Sequence, residues 1–297
     1  MSAPRETARE AYIVGLGLIG GSWAKALSAR APGWRVSGWN RNAETARAAL
    51  ESGAVGALVP PEDNLSRFDW AVIALPPAAT VATALKIIPR LRPGALLLDI
   101  CGVKRQIMEA VAPAARAAGV CFIGGHPMAG REVSGFNAAL ENLYAGASML
   151  LTPGGEKVPD WLPPALRAMG FARVVETTPE NHDRVIAYTS QLPHLVSSAY
   201  VKSATAPDFS GYSAGSFRDL SRVAGVNAEL WTGLFSANRN NLVSELDQMI
   251  AHLSAYRDAL ALDDRAGLQK LLQAGTDRKA ALDRISAEAA GKGTPCA

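Results

Sequence analysis

Cysteine is scarce in this chain. Three occur in 297 residues (Cys101, Cys121 and Cys296), far apart and odd in number. That excludes a disulfide framework and a CxxC metal pair, so no metal is expected, and it suits a reducing compartment. Charge of either sign is also modest. Thirty Lys and Arg against 27 Asp and Glu leave a net +3. No block of like charges reads as a basic arm, so nucleic acid is not an expected partner. No apolar run approaches the ~20 residues that span a bilayer, so no membrane partner is expected either. The opening "MSAPRETARE" lacks the apolar stretch of a secretory signal. The expectation is a cytoplasmic protein.

What is present is an ordinary globular composition, 48% hydrophobic and 19% charged. The length suits about two domains, and a chain this long buries a core without disulfides or metals. The two halves follow different patterns. "AYIVGLG" (11–17), "RVSGWN" (35–40), "WAVIALP" (70–76), "ALLLDIC" (95–101) and "VCFIGG" (120–125) are continuous apolar runs, as in a parallel sheet covered on both faces. Helical patterns such as "GSWAKALSAR" and "AETARAALESG" lie between them. "SMLLTP" (148–153) and "RVVETT" (173–178) read as further strands, with a helix between. This alternation predicts a doubly wound α/β domain over residues 1–177.

From 178 to 297 the spacing is helical throughout, which predicts a second, all-helical domain. Leu234, Leu242, Leu246, Ile250, Leu253 and Leu260 recur near helical intervals. They fit an intrachain core and a subunit interface equally well. The tail "GKGTPCA" is expected to fray.

Gly15, Gly17 and Gly20 have GxGxxG spacing in "YIVGLGLIGGSWAKAL". A predicted strand precedes them and a predicted helix follows, which is the context dinucleotide binding requires. Gly15 permits the turn, Gly17 admits the pyrophosphate and Gly20 lets helix and strand approach. Leu18 and Ile19, at the helix start, contribute backbone N–H groups. The end of the second strand carries Asn40 and Arg41 where an acidic residue would favour NAD. Asparagine does not repel a 2′-phosphate and Arg41 can pair with one. The charge therefore leans toward NADP over NAD, or toward use of both.

His126 follows "VCFIGG" at the carboxyl end of a late strand, the edge where open α/β sheets bind ligands. A neutral imidazole there is a candidate proton acceptor. Lys104, in "DICGVK", ends the preceding strand on the same edge. His194 and Arg218 come from the helical half. His182, beside Asp183 at a helix start, reads as a cap or an interface contact. His252 reads as exposed, Trp231 as packing, and Cys101 and Cys121 as small buried apolar residues.

These motifs, "GLGLIGGS", "DICGVK", "GGHPMAGREVSGF", "HDRVIAYTSQLPH" and "GSFRDLSRVAGVNAELW", resemble in order and separation those of the prephenate and arogenate dehydrogenases of tyrosine biosynthesis. The resemblance covers nearly the whole chain. It implies a Rossmann-like domain followed by a helical domain that binds substrate and forms a homodimer, with the site in the cleft between them. It implies NAD(P)-dependent oxidative decarboxylation of prephenate or arogenate.

On this resemblance His126 is the catalytic histidine that bonds the ring hydroxyl. Arg218 holds a substrate carboxylate, His194 contacts the substrate, and Glu132 is a loop acid that gates the site. Lys104 matches a lysine of the family's motif and is grouped with the cofactor-binding residues, its role unspecified and a purely structural one left open. Three positions depart from the pattern. Gly102 stands where serine is common, Arg131 where threonine is common, and Gln191 where the first histidine of "SHLPH" stands. Arg131 either brings a second positive charge toward the substrate or faces solvent.

Two other functions fit part of the chain. A β-hydroxyacid dehydrogenase would need a lysine on the first long helix of the second domain, where "HDRVIAYTSQLPH" has none. A non-catalytic dinucleotide-sensing module would not need His126 and Arg218.

Overall fold

The computed structural model describes residues 8–291. The expected frayed tail, with Cys296, lies outside the described residues apart from Gly291. Eight strands form one sheet in the order β3-β2-β1-β4-β5-β6-β7-β8. They are β1 (Arg9–Val14), β2 (Trp34–Trp39), β3 (Ala57–Leu58), β4 (Trp70–Ile73), β5 (Leu96–Asp99), β6 (Cys121–Pro127), β7 (Ser148–Thr152) and β8 (Arg173–Glu176). Helices α1 (Leu18–Arg30), α2 (Ala43–Glu51), α3 (Pro77–Ile87) and α4 (Arg105–Ala117) make the crossovers, and α5 (Leu162–Ala168) joins β7 to β8.

The apolar runs form strands because both faces of the sheet are covered. In β1, Ala11 and Ile13 point into one core layer while Tyr12 and Val14 point into the other. In β4, Trp70 and Val72 divide from Ala71 and Ile73 in the same way. Alternation of side-chain direction then demands apolar residues at every position. One layer centres on Trp23, Trp70 and Tyr144, and the other on Tyr12, Phe68 and Phe122.

Two features lie outside the sequence reading, one by its length and one by its direction. β3 is a two-residue strand, too short to leave a pattern. β7 runs antiparallel to β6. A parallel return needs a crossover, usually a helix, and the connection from 128 to 147 holds only a short 3₁₀ turn at Phe136–Ala138.

Among the described residues no strand follows Glu176. Thr178 caps α6 (Pro179–Ile186), its hydroxyl accepting from the Asn181 N–H. A π-helical segment, Ala187–Gln191, leads into α7 (Leu192–Tyr200). Then come α8 (Gly215–Ser221), α9 (Ala228–Ala237), α10 (Arg239–Ala261) and α11 (Arg265–Gly291). The chain packs as two units that divide between Leu242 and Val243, inside α10. The second unit is a helical hairpin, tied by the Tyr256 hydroxyl donating to the Leu271 carbonyl. Ile250, Leu253 and Leu260 are exposed on it, whereas Leu242 of the first unit is buried. No helix among the described residues is long and apolar enough to cross a membrane.

Candidate active site

The glycine loop between β1 and α1 is shaped by contacts that leave room for hydrogen only. Gly15 has φ +92°, and a Cβ there would lie 2.4 Å from the Ala74 carbonyl oxygen. A Cβ on Gly20 would lie 1.8 Å from the Gly15 carbonyl oxygen. Above Gly17 nothing lies within 4 Å, so the loop is open on that side. Helix α1 starts at Leu18 with no side-chain cap and no acidic residue in its first turn. Free N–H groups facing open space make a cradle for a pyrophosphate, and these residues fit a dinucleotide.

Asn40, at the end of β2, does something the sequence did not reveal. Its Oδ1 accepts from the Leu16 N–H at 3.0 Å, so its side chain braces the glycine loop itself. Arg41 beside it is exposed.

His126 lies on β6 within the same sheet edge, half-buried. Its Nδ1 is 2.9 Å from His182 Nε2. The Nδ1 of His182 is in turn 2.7 Å from Asp183 Oδ1. That carboxylate also accepts the backbone N–H groups of Lys104 (2.8 Å) and Arg105 (2.9 Å), at the start of α4. Burial pushes the pKa of His126 well below the ordinary histidine value, and the neighbouring His182 and Lys104 push the same way. Burial also lowers that of His182, against the raising effect of Asp183. Both rings are therefore neutral near pH 7.

Lys104 is corrected by the structure. Expected with the cofactor residues, it is wholly buried, and its Nζ is ion-paired to Asp99, itself wholly buried. A side chain with no exposed surface, already held by a carboxylate, is not available to a cofactor. Burial pushes the Asp99 carboxyl upward while Lys104 pulls it down. The glycines before His126 have a related purpose. A Cβ on Gly124 would lie 2.3 Å from Thr152 Oγ1 and 3.0 Å from the Lys104 stem, so the buried lysine passes where only glycine leaves space.

Helix α9 forms an apolar and aromatic wall. A Cβ built at Gly102 would lie 3.7 Å from His126 Nε2 and 3.4 Å from Leu234 Cδ2. One turn earlier on α9, Trp231 packs against His194, with ring centroids 3.9 Å apart and the rings tilted by 31°. His194 Nδ1 is 2.8 Å from the Ser190 carbonyl, so Nδ1 carries the proton and Nε2 is left as an acceptor. Residues three apart share a helix face, so Leu234 and Trp231 bring Gly102 and His194 to one face of α9, with His126 Nε2 on the far side of Gly102's open position.

Comparison with known proteins identifies the family and the fold. Residues 23–173 match the family model "Prephenate dehydrogenase, nucleotide-binding domain", and residues 178–274 match "Prephenate dehydrogenase, dimerization domain". The chain belongs to the prephenate dehydrogenase family. It is 30% identical to the cyclohexadienyl dehydrogenase of Zymomonas mobilis, over 85% of this chain and 88% of that one. It superposes on Synechocystis arogenate dehydrogenase with a TM-score of 0.74 at 30% identity, covering 91% of this chain and 99% of that one. Prephenate dehydrogenase from A. aeolicus, solved with hydroxyphenyl propionate and NAD+, gives a TM-score of 0.79 at 25% identity, covering 92% and 98%. Family membership makes this protein an NAD(P)-dependent dehydrogenase and disfavours the β-hydroxyacid dehydrogenase and sensing-module alternatives.

Within this family member the remaining expected residues are dispersed. Arg218, on α8, is exposed, and no side-chain bond to it forms among the described residues. Arg222, one turn later, pairs at 2.8 Å with Glu132 of the loop after β6. Arg131 is exposed, its guanidinium 3.5 Å from the Ala138 carbonyl. Gln191, in the position of the family's histidine, is buried, and its Oε1 accepts from Asn238 Nδ2 at 2.8 Å. Cys101 is buried, with its thiol pushed up to about 11 by burial. His252 is exposed, as expected.

His182 and Asp183 are what the sequence reading missed. Thr178 caps their helix, which removes one of the two roles, cap or interface contact, read for them. The available signal was their adjacency in a chain of only four histidines.

Proposed function

We propose that this protein catalyses the oxidative decarboxylation of prephenate or arogenate, with NADP preferred over NAD, as a homodimer built through its helical region. In that reading residues 1–177 hold the dinucleotide, and residues 178–297 complete the substrate site and the dimer. The observation that carries the proposal is His126 at the end of β6 with its Nδ1 2.9 Å from His182 Nε2; we read the ring as neutral, with Nε2 turned to the substrate.

The substrate class is a cyclohexadiene with a hydroxyl at C4 and a carboxylate at C1. Loss of a hydride from C4 and of carbon dioxide from C1 makes the ring aromatic, which drives the reaction. When bound, the nicotinamide supplies the hydride acceptor. His126 Nε2 takes the hydroxyl proton as the C4 oxygen gains carbonyl character, a contribution of about 10²–10⁴-fold. Arg218 holds a substrate carboxylate through a bidentate pair, which a guanidinium forms better than an ammonium. His194, fixed on Trp231, presents Nε2 to the substrate. The Glu132–Arg222 bridge and Arg131 border the entrance. Gly15, Gly17, Leu18, Ile19 and Gly20 hold the pyrophosphate, Asn40 braces that loop, and Arg41 pairs with a 2′-phosphate. The exposed Ile250, Leu253 and Leu260 of the hairpin supply apolar surface for the dimer.

Absorbance at 340 nm with each substrate and each cofactor tests the reading. A signal with prephenate or arogenate, larger with NADP, is expected. No signal with either substrate refutes the reaction, and a larger signal with NAD refutes the cofactor preference.

A further inference from the structure

We propose that His182 and Asp183 are positioning residues that hold His126 in a single tautomer, protonated at Nδ1 with the lone pair at Nε2. The inference rests on the reading of His126 as the proton acceptor. With both rings neutral, the chain of donors and acceptors permits one assignment. The carboxylate of Asp183 is an acceptor only, so the atom facing it at 2.7 Å, His182 Nδ1, carries a proton. A neutral imidazole has one N–H, which leaves His182 Nε2 as an acceptor. His126 Nδ1, 2.9 Å away, must then donate to it. The one nitrogen of His126 that remains without a proton is Nε2, the atom on the Gly102 and Leu234 side.

The pair is built to hold that orientation. His182 and Asp183 are 2% and 1% exposed, so water does not compete for either ring nitrogen of His182. The N–H groups of Lys104 and Arg105 grip both oxygens of Asp183, fixing the carboxylate plane against the start of α4. Lys104 is anchored in turn by its buried ion pair with Asp99 on β5. From the other side, Asn238 Nδ2 donates to the Asp183 carbonyl and to Gln191 Oε1, both at 2.8 Å. Strand β5, helices α4 and α6, the π-helical segment and the end of α9 thus converge on one imidazole. A histidine with a merely structural role would need no such directional chain.

The test combines a spectroscopic and a kinetic readout. The ring ¹⁵N shifts of His126 in the full-length protein, without substrate or cofactor, should show a proton on Nδ1. His182→Phe, which keeps a ring but removes the acceptor, should give a mixture of tautomers. It should also lower kcat on the order of 10²-fold with KM little changed, as expected when a reacting group loses its orientation. His182→Gln, which restores a carbonyl acceptor, should recover both the tautomer and part of kcat. Wild-type His126 protonated on Nε2 overturns the proposal even if neither variant folds. So does a His182→Phe protein with unchanged tautomer and kcat. The shifts need no turnover, so a wild-type enzyme inactive on both substrates would remove the proposed reaction without deciding the tautomer.

Discussion

The glycine loop and the histidine site occupy the same edge of one sheet, yet they are specified in opposite ways. The loop is local. Gly20 lies against the Gly15 carbonyl within six consecutive residues, and Ala74 and Asn40 only close the loop from outside. The histidine site is assembled from a distance. His126 meets His182 across 56 positions, and Asp183 meets the Lys104 N–H across 79. A local device is readable from spacing alone. A distributed one is readable only when each piece has a recognisable partner, and no interval in the sequence links "GGHP" to "HD".

Substitutions in the two regions should therefore fail differently. The largest effect is expected for His126→Ala, with kcat lowered by about 10²–10⁴-fold and cofactor affinity unchanged by fluorescence titration. Unchanged turnover would remove the proton role. Gly20→Ala should do the reverse. A Cβ 1.8 Å from the Gly15 carbonyl has no space, so cofactor affinity should fall by at least about tenfold, or 1.4 kcal/mol. The ¹⁵N shifts of His126 should not move, and a moved tautomer would show the two regions to be coupled.

Arg218→Ala should raise the substrate KM by about 10- to 100-fold, the scale of a lost charge-assisted hydrogen bond. Its present exposure makes this the sharpest check on whether α8 serves the site, and an unchanged KM would exclude it. The smallest effect is one of pH on stability. Both histidines of the pair have pKa values below the ordinary 6.5 of the unfolded chain. The unfolded state therefore binds protons first on acidification. Stability from this source is present above about 6.5 and lost as the pH falls below it. Urea unfolding across that range measures it, and replacing His126 with Gln should flatten the dependence.

The sheet was legible because its strands are buried on both faces and leave unbroken apolar runs. The antiparallel entry of β7 was not, because direction depends on how the 128–147 connection returns. His126 stood out by its place at a strand end. Lys104 misled. Its motif grouped it with the cofactor residues, and only the space left by Gly124 shows that it turns inward to Asp99. Asn40 was placed at the ribose end by its position after β2, while its bond to Leu16 N–H adds a bracing role that no spacing encodes.

The account turns on a neutral imidazole that presents Nε2 to a substrate hydroxyl. A crystal structure with NADP and a ring-hydroxyl substrate analogue measures this directly. It should place that hydroxyl about 2.6–3.2 Å from His126 Nε2, with Nδ1 still on His182. A hydroxyl bound elsewhere, or Nε2 already occupied by a donor from the protein, would contradict it.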